Sequence, residues 1–133
     1  MGLSGALAYN NVNATSGVED ADPHMLIQML LDGAIEKINR AKYFMSENKI
    51  EQKGQHVSWA ISIISGLQAS LDKESGGEIS TNLDNLYEYC MHTLVEANKN
   101  NSIEKLDSVL DVMKNIRDGW NGIREQALSM NSL

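Results

Sequence analysis

The sequence predicts an all-α protein, an antiparallel four-helix bundle that follows an N-terminal tail. Three observations support this fold class. The chain has 133 residues, 42% of them hydrophobic, which suits one domain able to bury a core. Its only proline is Pro23, so the strongest helix breaker is missing from the rest of the chain. Apolar residues then recur at spacings of three and four in four successive segments, and no segment alternates like a β-strand.

The first helix follows the tail directly. Residues 1–21 are expected to be flexible, because the Asn, Ser and Gly residues of this stretch favour turns over regular structure. The helix should begin at Asp22-Pro23, where Asp22 can cap free N–H groups and Pro23 suits the first helical position. Residues 47–49 should end it. Its predicted core seam is Ile27, Leu31, Ala34, Ile38, Ala41 and Met45.

The second and third helices are expected to span about residues 50–73 and 78–97. Gly76 and Gly77 lie between them, and paired glycines readily adopt the left-handed conformation that ends a helix. The predicted seam of the second helix is Val57, Ile61, Ile64 and Leu71. The predicted seam of the third helix is Ile79, Leu83, Leu86, Cys90 and Ala97, with Leu94 beside it.

The fourth helix is expected to begin near Ser102, a favourable N-cap with Glu104 in the first turn. Its predicted seam is Val109, Met113, Ile116, Trp120, Ile123 and Ala127. Helices of roughly 20–27 residues joined by short turns pack as antiparallel neighbours. We therefore expect residues 22–128 to form one bundle domain and residues 129–133 to be a frayed C-terminus.

Charge and cysteine content narrow the function classes. The chain carries 18 acidic residues against 11 Lys and Arg, a formal net charge of −7. Nucleic-acid binding needs a basic face, so this balance argues against it. The single Cys90 excludes an internal disulfide and suits a reducing compartment. No signal peptide or membrane span stands out, so we expect a cytoplasmic protein without membrane insertion.

The residues that could carry chemistry are few. Neither His56 nor His92 follows an acidic residue by three positions, as a di-iron bundle would require. Cys90 lies in an apolar seam, where a thiol acts as a small hydrophobe. His56 on a bundle helix keeps histidine phosphotransfer as an alternative, although only Lys53 lies one turn away as a cation. We expect no catalytic residues, no metal and no cofactor.

The first two helices carry more apolar surface than a core seam requires. On the second helix the apolar residues cover an arc of about 200°, against about 100° for a core-facing stripe, and Trp59 and Ile63 lie at its rim. On the first helix, Leu26, Met29 and Leu30 extend past the seam. Large exposed apolar patches mark binding surfaces, so a partner helix in a groove is expected. The alternatives are cover by the N-terminal tail and a bundle that self-associates through this rim.

Several short segments also resemble one family. They are Asp22-Pro23 with residues 29–35, Leu71-Asp72 with residues 75–79, Asn82-Leu83, Leu86-Tyr87, Tyr89, Leu94, residues 96–98 and 116–120, and Ala8-Tyr9 with Val12. In this order and at these separations, they resemble the FliS family of flagellar secretion chaperones. The resemblance covers most of the chain, from about Ala8 to Ile123.

The resemblance implies an antiparallel helical bundle that binds the C-terminal region of flagellin, which becomes helical in hydrophobic grooves. It implies a cytoplasmic chaperone that prevents premature polymerisation before type III flagellar secretion, without enzyme activity or cofactor. Components of the flagellar export apparatus become further candidate partners. The expected partner-binding residues from both arguments are Tyr9, Val12, Leu26, Met29, Leu30, Trp59, Ile63, Ile79, Asn82 and Tyr87.

Overall fold

The computed structural model describes residues 22–131, with side chains described up to residue 123. This part of the chain forms four helices and no strand: α1 (Pro23–Ser46), α2 (Ile50–Ala69), α3 (Gly77–Asn100) and α4 (Ile103–Asn131). The principal contacts join α1 to α2, α2 to α3, α3 to α4 and α4 to α1. The predicted all-α four-helix bundle is therefore confirmed. The predicted tail, with Tyr9 and Val12, lies outside the described residues.

Two of the predicted helix starts show the expected caps. The Asp22 Oδ1 atom accepts a hydrogen bond from the Met25 N–H at 2.8 Å, and Pro23 occupies the first helical position. The Ser102 Oγ atom accepts from the Lys105 N–H at 3.1 Å. Each side chain satisfies a backbone donor that the first turn of a helix leaves free.

The α2 helix ends earlier than the sequence predicts, at Ala69 and not near Lys73. The reason lies in the turn that follows. The Asp72 carboxylate accepts hydrogen bonds from the backbone N–H groups of Glu74 and Ser75, and the Asp72 carbonyl accepts from the Gly76 N–H. Asp side chains compete with helical hydrogen bonding in this way, so the chain turns towards α3.

The core lies along the predicted seams. The fully enclosed side chains include Leu31, Ile38, Ile64, Leu94 and Met113. The sequence prediction missed six buried apolar residues outside the seams, which are Ile35, Ala60, Leu67, Tyr87, Leu106 and Leu110. It also missed Lys53, which is 5% exposed and donates from Nζ to the Asn98 carbonyl at 3.0 Å and to the Asn101 Oδ1 atom at 2.5 Å.

The seams of α3 and α4 are not buried along their whole length. Ile79 is 73% exposed and Ile123 is 57% exposed, and Leu86 is also exposed, so their assignment to the core was wrong. Ile116 and Trp120 are half-buried. All five lie at the same end of the bundle, where the beginning of α3 is near the end of α4. There, part of each apolar stripe faces a groove and not a neighbouring helix.

Candidate functional site

An apolar groove with a volume of about 350 Å³ opens at this end of the bundle. It lies among the first turns of α1, the α2–α3 turn, the first half of α3 and the second half of α4. Its lining residues are Ile27, Leu31, Ser70, Leu71, Asp72, Ser75, Gly76, Ile79, Ser80, Leu83, Tyr87, Ile116 and Trp120. Because most of these side chains are apolar, the groove suits an apolar helix face better than a small charged ligand.

One wall of the groove is held in place by a reciprocal contact between α1 and α4. The His24 and Trp120 rings stack with centroids 4.3 Å apart and planes 8° from parallel. The Trp120 Nε1–H donates to the His24 carbonyl at 2.9 Å, and the His24 Nε2–H donates to the Trp120 carbonyl at 2.8 Å. The pair fixes the Trp120 ring beside Ile116, so this wall is formed before any partner binds.

The α2–α3 turn forms the rim of the groove. The Ser75 hydroxyl and backbone N–H both donate to the Asp72 carboxylate, and these bonds lower the pKa of Asp72 below its usual value. Gly76 allows a close approach, because a Cβ atom there would lie 2.5 Å from the Asp72 carbonyl oxygen and 2.6 Å from the Ser80 Cβ. The rim is therefore a defined turn and not a loose loop.

The two ionisable groups within the α3 core are held neutral. Burial raises the pKa of Tyr87 to about 12 and that of the Cys90 thiol to about 12. A thiol with such a pKa is a poor nucleophile at neutral pH. Cys90 therefore packs as an apolar residue, as the sequence predicts, while Tyr87 presents a neutral phenol to the groove.

A second exposed apolar surface lies on the outer side of α1 and α2. Trp59 is 52% exposed, and the Lys37 ammonium lies 3.7 Å above its ring centroid. The His56 ring lies 6.0 Å from Trp59 and 5.0 Å from Phe44. We call Tyr43, Phe44, His56 and Trp59 the aromatic surface.

The predicted partner-binding residues fall into separate regions. Ile79 and Tyr87 line the groove, although Tyr87 is a buried wall residue. Trp59 belongs to the aromatic surface, and Ile63 packs half-buried against Gly33. Leu26, Met29 and Leu30 are half-buried on α1 and do not line the groove, and Asn82 is exposed on α3 outside its lining. The structure does not bring these residues together.

Sequence reasoning missed several residues that form the groove, chiefly Leu71, Leu83, Ile116 and Trp120. All four were assigned to the core seams, because apolar spacing does not distinguish burial within a chain from burial against a partner. The polar wall residue Ser80 gave no signal at all. One sequence feature could have indicated the groove. The apolar stripe of α4 continues to Ile123, past the last fully buried residue of this helix within the described range, Met113.

The described residues contain neither a candidate metal site nor a candidate membrane span. Within residues 22–131, no group of three or more His, Cys, Asp or Glu side chains could hold a metal ion. No helix in the same range is long and apolar enough to cross a membrane.

The His56 Nδ1–H donates to the Gln52 carbonyl at 2.8 Å, which leaves the ring on the aromatic surface with no cation paired to it among the described contacts.

A helical bundle with a preformed apolar groove is typical of proteins that bind another polypeptide segment. The flagellar protein FliS family matches residues 5–127 of the chain. The flagellar secretion chaperone FliSB of Pseudomonas aeruginosa is 44% identical over 115 residues, which cover 86% of this chain and 91% of the relative. The flagellar secretion chaperone FliS of Salmonella typhimurium is 42% identical over 125 residues, 93% of each chain.

Among solved structures, a flagellar chaperone from bacteria superposes with a TM-score of 0.74 and covers 91% of this chain and 98% of its own. The sequence identity is 12%, so this likeness concerns the fold alone. The family match spans nearly the whole chain and the two relatives agree with it. The chain belongs to the FliS family of flagellar secretion chaperones.

Proposed function

We propose that this protein is a cytoplasmic export chaperone that binds the C-terminal region of flagellin and prevents its premature polymerisation before type III flagellar secretion. The observation that carries the proposal is the apolar groove among α1, the α2–α3 turn, α3 and α4, present in a member of a secretion-chaperone family. The exposed side of the groove adds little to the stability of the bundle, because it leaves Ile79 in contact with water.

The groove can offset the cost of ordering an unfolded client. Folding on binding costs on the order of 2–5 kcal/mol. Each 100 Å² of apolar surface removed from water returns about 2.5 kcal/mol, at about 25 cal/mol per Å². A client helix therefore has to bury about 200 Å² of apolar surface, on residues such as Ile79, Leu83 and Trp120, to offset the upper end of that cost. The same contact hides the client's apolar face from other flagellin molecules, which keeps the monomers apart.

The remaining predicted contacts extend this proposal beyond the groove. A client longer than one helix would reach the aromatic surface, where Trp59 and Ile63 offer a second apolar contact, and α1, where Leu26, Met29 and Leu30 continue it. Residues 1–21, with Tyr9 and Val12, are proposed to contribute to the binding surface or to compete for it. Components of the export apparatus are proposed as later partners of the loaded chaperone.

The proposal is tested by calorimetric titration of the full chain with a C-terminal fragment of the same organism's flagellin. We expect saturable binding at micromolar concentration or below, and its loss with a flagellin lacking that region. Leu83→Asp places a carboxylate in the groove and should abolish binding. Val95→Asp is the matched control, since Val95 is an exposed apolar residue of the same helix outside the groove lining. Equal affinities of the two variants would overturn the groove assignment.

A second measurement tests the chaperone activity itself. Light scattering of flagellin under polymerising conditions should stay low when the wild-type chain is present at equal concentration. The Leu83→Asp variant should leave polymerisation unchanged, and Val95→Asp should suppress it like the wild type. Polymerisation that proceeds at the same rate with and without the wild-type chain would contradict the proposed function.

A further inference from the structure

The stacked pair of His24 and Trp120 joins the first turn of α1 to the second half of α4. Trp120 belongs to the groove lining, whereas His24 does not. Each ring donates a hydrogen bond to the backbone carbonyl of the other residue, so neither ring can turn without losing a bond. His24 is therefore placed to act on the groove through Trp120 and not through contact with the client.

Trp120 depends on such support because it lies past the sealed part of the core. The last fully buried side chain of α4 within the described range is Met113, and Trp120, seven residues further on, is half-buried. An indole at the edge of an apolar groove removes more of its own surface from water by turning into that groove. The same turn would take up the space that a client helix has to enter.

The geometry of the pair opposes that turn. The ring centroids are 4.3 Å apart, the ring planes are 8° from parallel, and the two hydrogen bonds measure 2.8 and 2.9 Å. Because a carbonyl oxygen only accepts, the His24 Nε2 atom carries the proton that it donates to the Trp120 carbonyl. Phenylalanine would stack but donate nothing, so position 24 uses both the flat ring and the donor of histidine.

We propose that His24 is a positioning residue of the groove, which keeps the Trp120 ring in the wall and so keeps the groove open for the client. This inference rests on the proposed function and deepens it by explaining how the free chaperone stays ready to bind. A protein that is competent to bind for only a fraction of the time loses affinity in proportion to that fraction. Without His24, the open orientation becomes one of several for Trp120.

The first test measures the binding of the flagellin C-terminal fragment to His24→Ala by surface plasmon resonance. The dissociation constant should rise about three- to tenfold. The change should come from slower association at an unchanged dissociation rate, because the bound client itself holds Trp120 in the wall. A residue that touches the client would instead change the dissociation rate. His92→Ala is the matched control and should bind like the wild type, since it removes an exposed imidazole outside the groove lining.

A second variant separates positioning from a general loss of structure. His24→Gln keeps an N–H that can donate to the Trp120 carbonyl, so it should recover part of the association rate that His24→Ala loses. In a Trp120→Ala background the ring on which His24 acts is gone, and His24→Ala should then weaken binding no further. Faster dissociation from His24→Ala, or equal association rates for His24→Ala and the wild type, would overturn the role of His24.

A spectroscopic test of the free chain needs no client. In Trp59→Phe the only indole is Trp120, and its near-ultraviolet circular dichroism reports whether the ring is held in one orientation. Adding His24→Ala should remove most of that signal, and His24→Gln should retain more of it. An undiminished signal in His24→Ala would overturn the role of His24 and leave the proposed function intact. No binding of the fragment by the wild-type chain would overturn the proposed function, whatever the signal shows about the pair.

Discussion

The two halves of the α3–α4 pair show how one sequence pattern leads to two environments. In the sealed half, the C-terminal part of α3 packs on the N-terminal part of α4, and Cys90, Leu94, Leu106 and Met113 are fully buried. In the open half, Leu83, Ile116 and Trp120 line a groove with the same apolar spacing. Apolar periodicity therefore identifies a helix face that is to be buried. It does not show whether another helix of the same chain or a partner protein buries that face.

The largest expected effect is a difference in the unfolding free energy that an alanine substitution costs in each half. Leu94→Ala in the sealed half should cost about 2–5 kcal/mol of unfolding free energy, because the enclosed site becomes a cavity. Leu83→Ala in the open half should cost less than half as much, since its side chain already borders the groove. Urea unfolding measures both. Equal losses would show that the open half is packed as tightly as the sealed half.

The buried Lys53 side chain also stabilises the sealed half, and its replacement should have the next largest effect on the unfolding free energy. Lys53→Met keeps the unbranched apolar stem of the side chain but removes the ammonium that bonds the Asn98 carbonyl and Asn101. The loss should be about 1–3 kcal/mol, since two polar groups at the end of α3 lose their partner. Affinity for the flagellin fragment should not change, because the groove lies at the other end of the bundle. A weakened affinity would contradict this separation.

Trp59→Asp should cost about 1–2 kcal/mol of unfolding free energy, because the variant loses the buried half of the Trp59 side chain and the surface contact with Lys37. If the aromatic surface is a second client contact, as proposed, the variant should bind the flagellin fragment more weakly. Chemical unfolding and calorimetry check the two expectations. A loss of several kcal/mol would place Trp59 in the core, against the structure.

The smallest expected effect is a pH dependence at the rim of the groove. Hydrogen bonds from Ser75 lower the pKa of Asp72, so its carboxylate stabilises the folded chain above the unfolded pKa of 3.8. That contribution should be lost as the pH falls through the lower pKa of the folded state. Asp72→Ala should therefore be less stable than the wild type at neutral pH and equal to it in strong acid. A stability difference that does not change with pH would refute the role of the carboxylate.

The sequence predicts most of the fold and less of the site. The seam of α1, the caps at Asp22 and Ser102 and the buried Cys90 follow from local patterns that the structure confirms, whereas parts of the α3 and α4 seams are exposed. The end of α2 was missed because the Asp72 turn depends on bonds that spacing does not reveal. The groove was missed because its apolar walls have the same residue spacing as the core, and the apolar excess at Trp59 indicated a surface outside the groove.

The two tryptophans allow the most direct test of the claim that the open half binds the client. In Trp59→Phe, the only remaining indole is Trp120 in the groove wall, and in Trp120→Phe it is Trp59 on the aromatic surface. Adding the flagellin fragment to Trp59→Phe should shift the Trp120 emission to the blue and reduce its quenching by acrylamide. Saturated binding with an unchanged Trp120 signal would contradict the account.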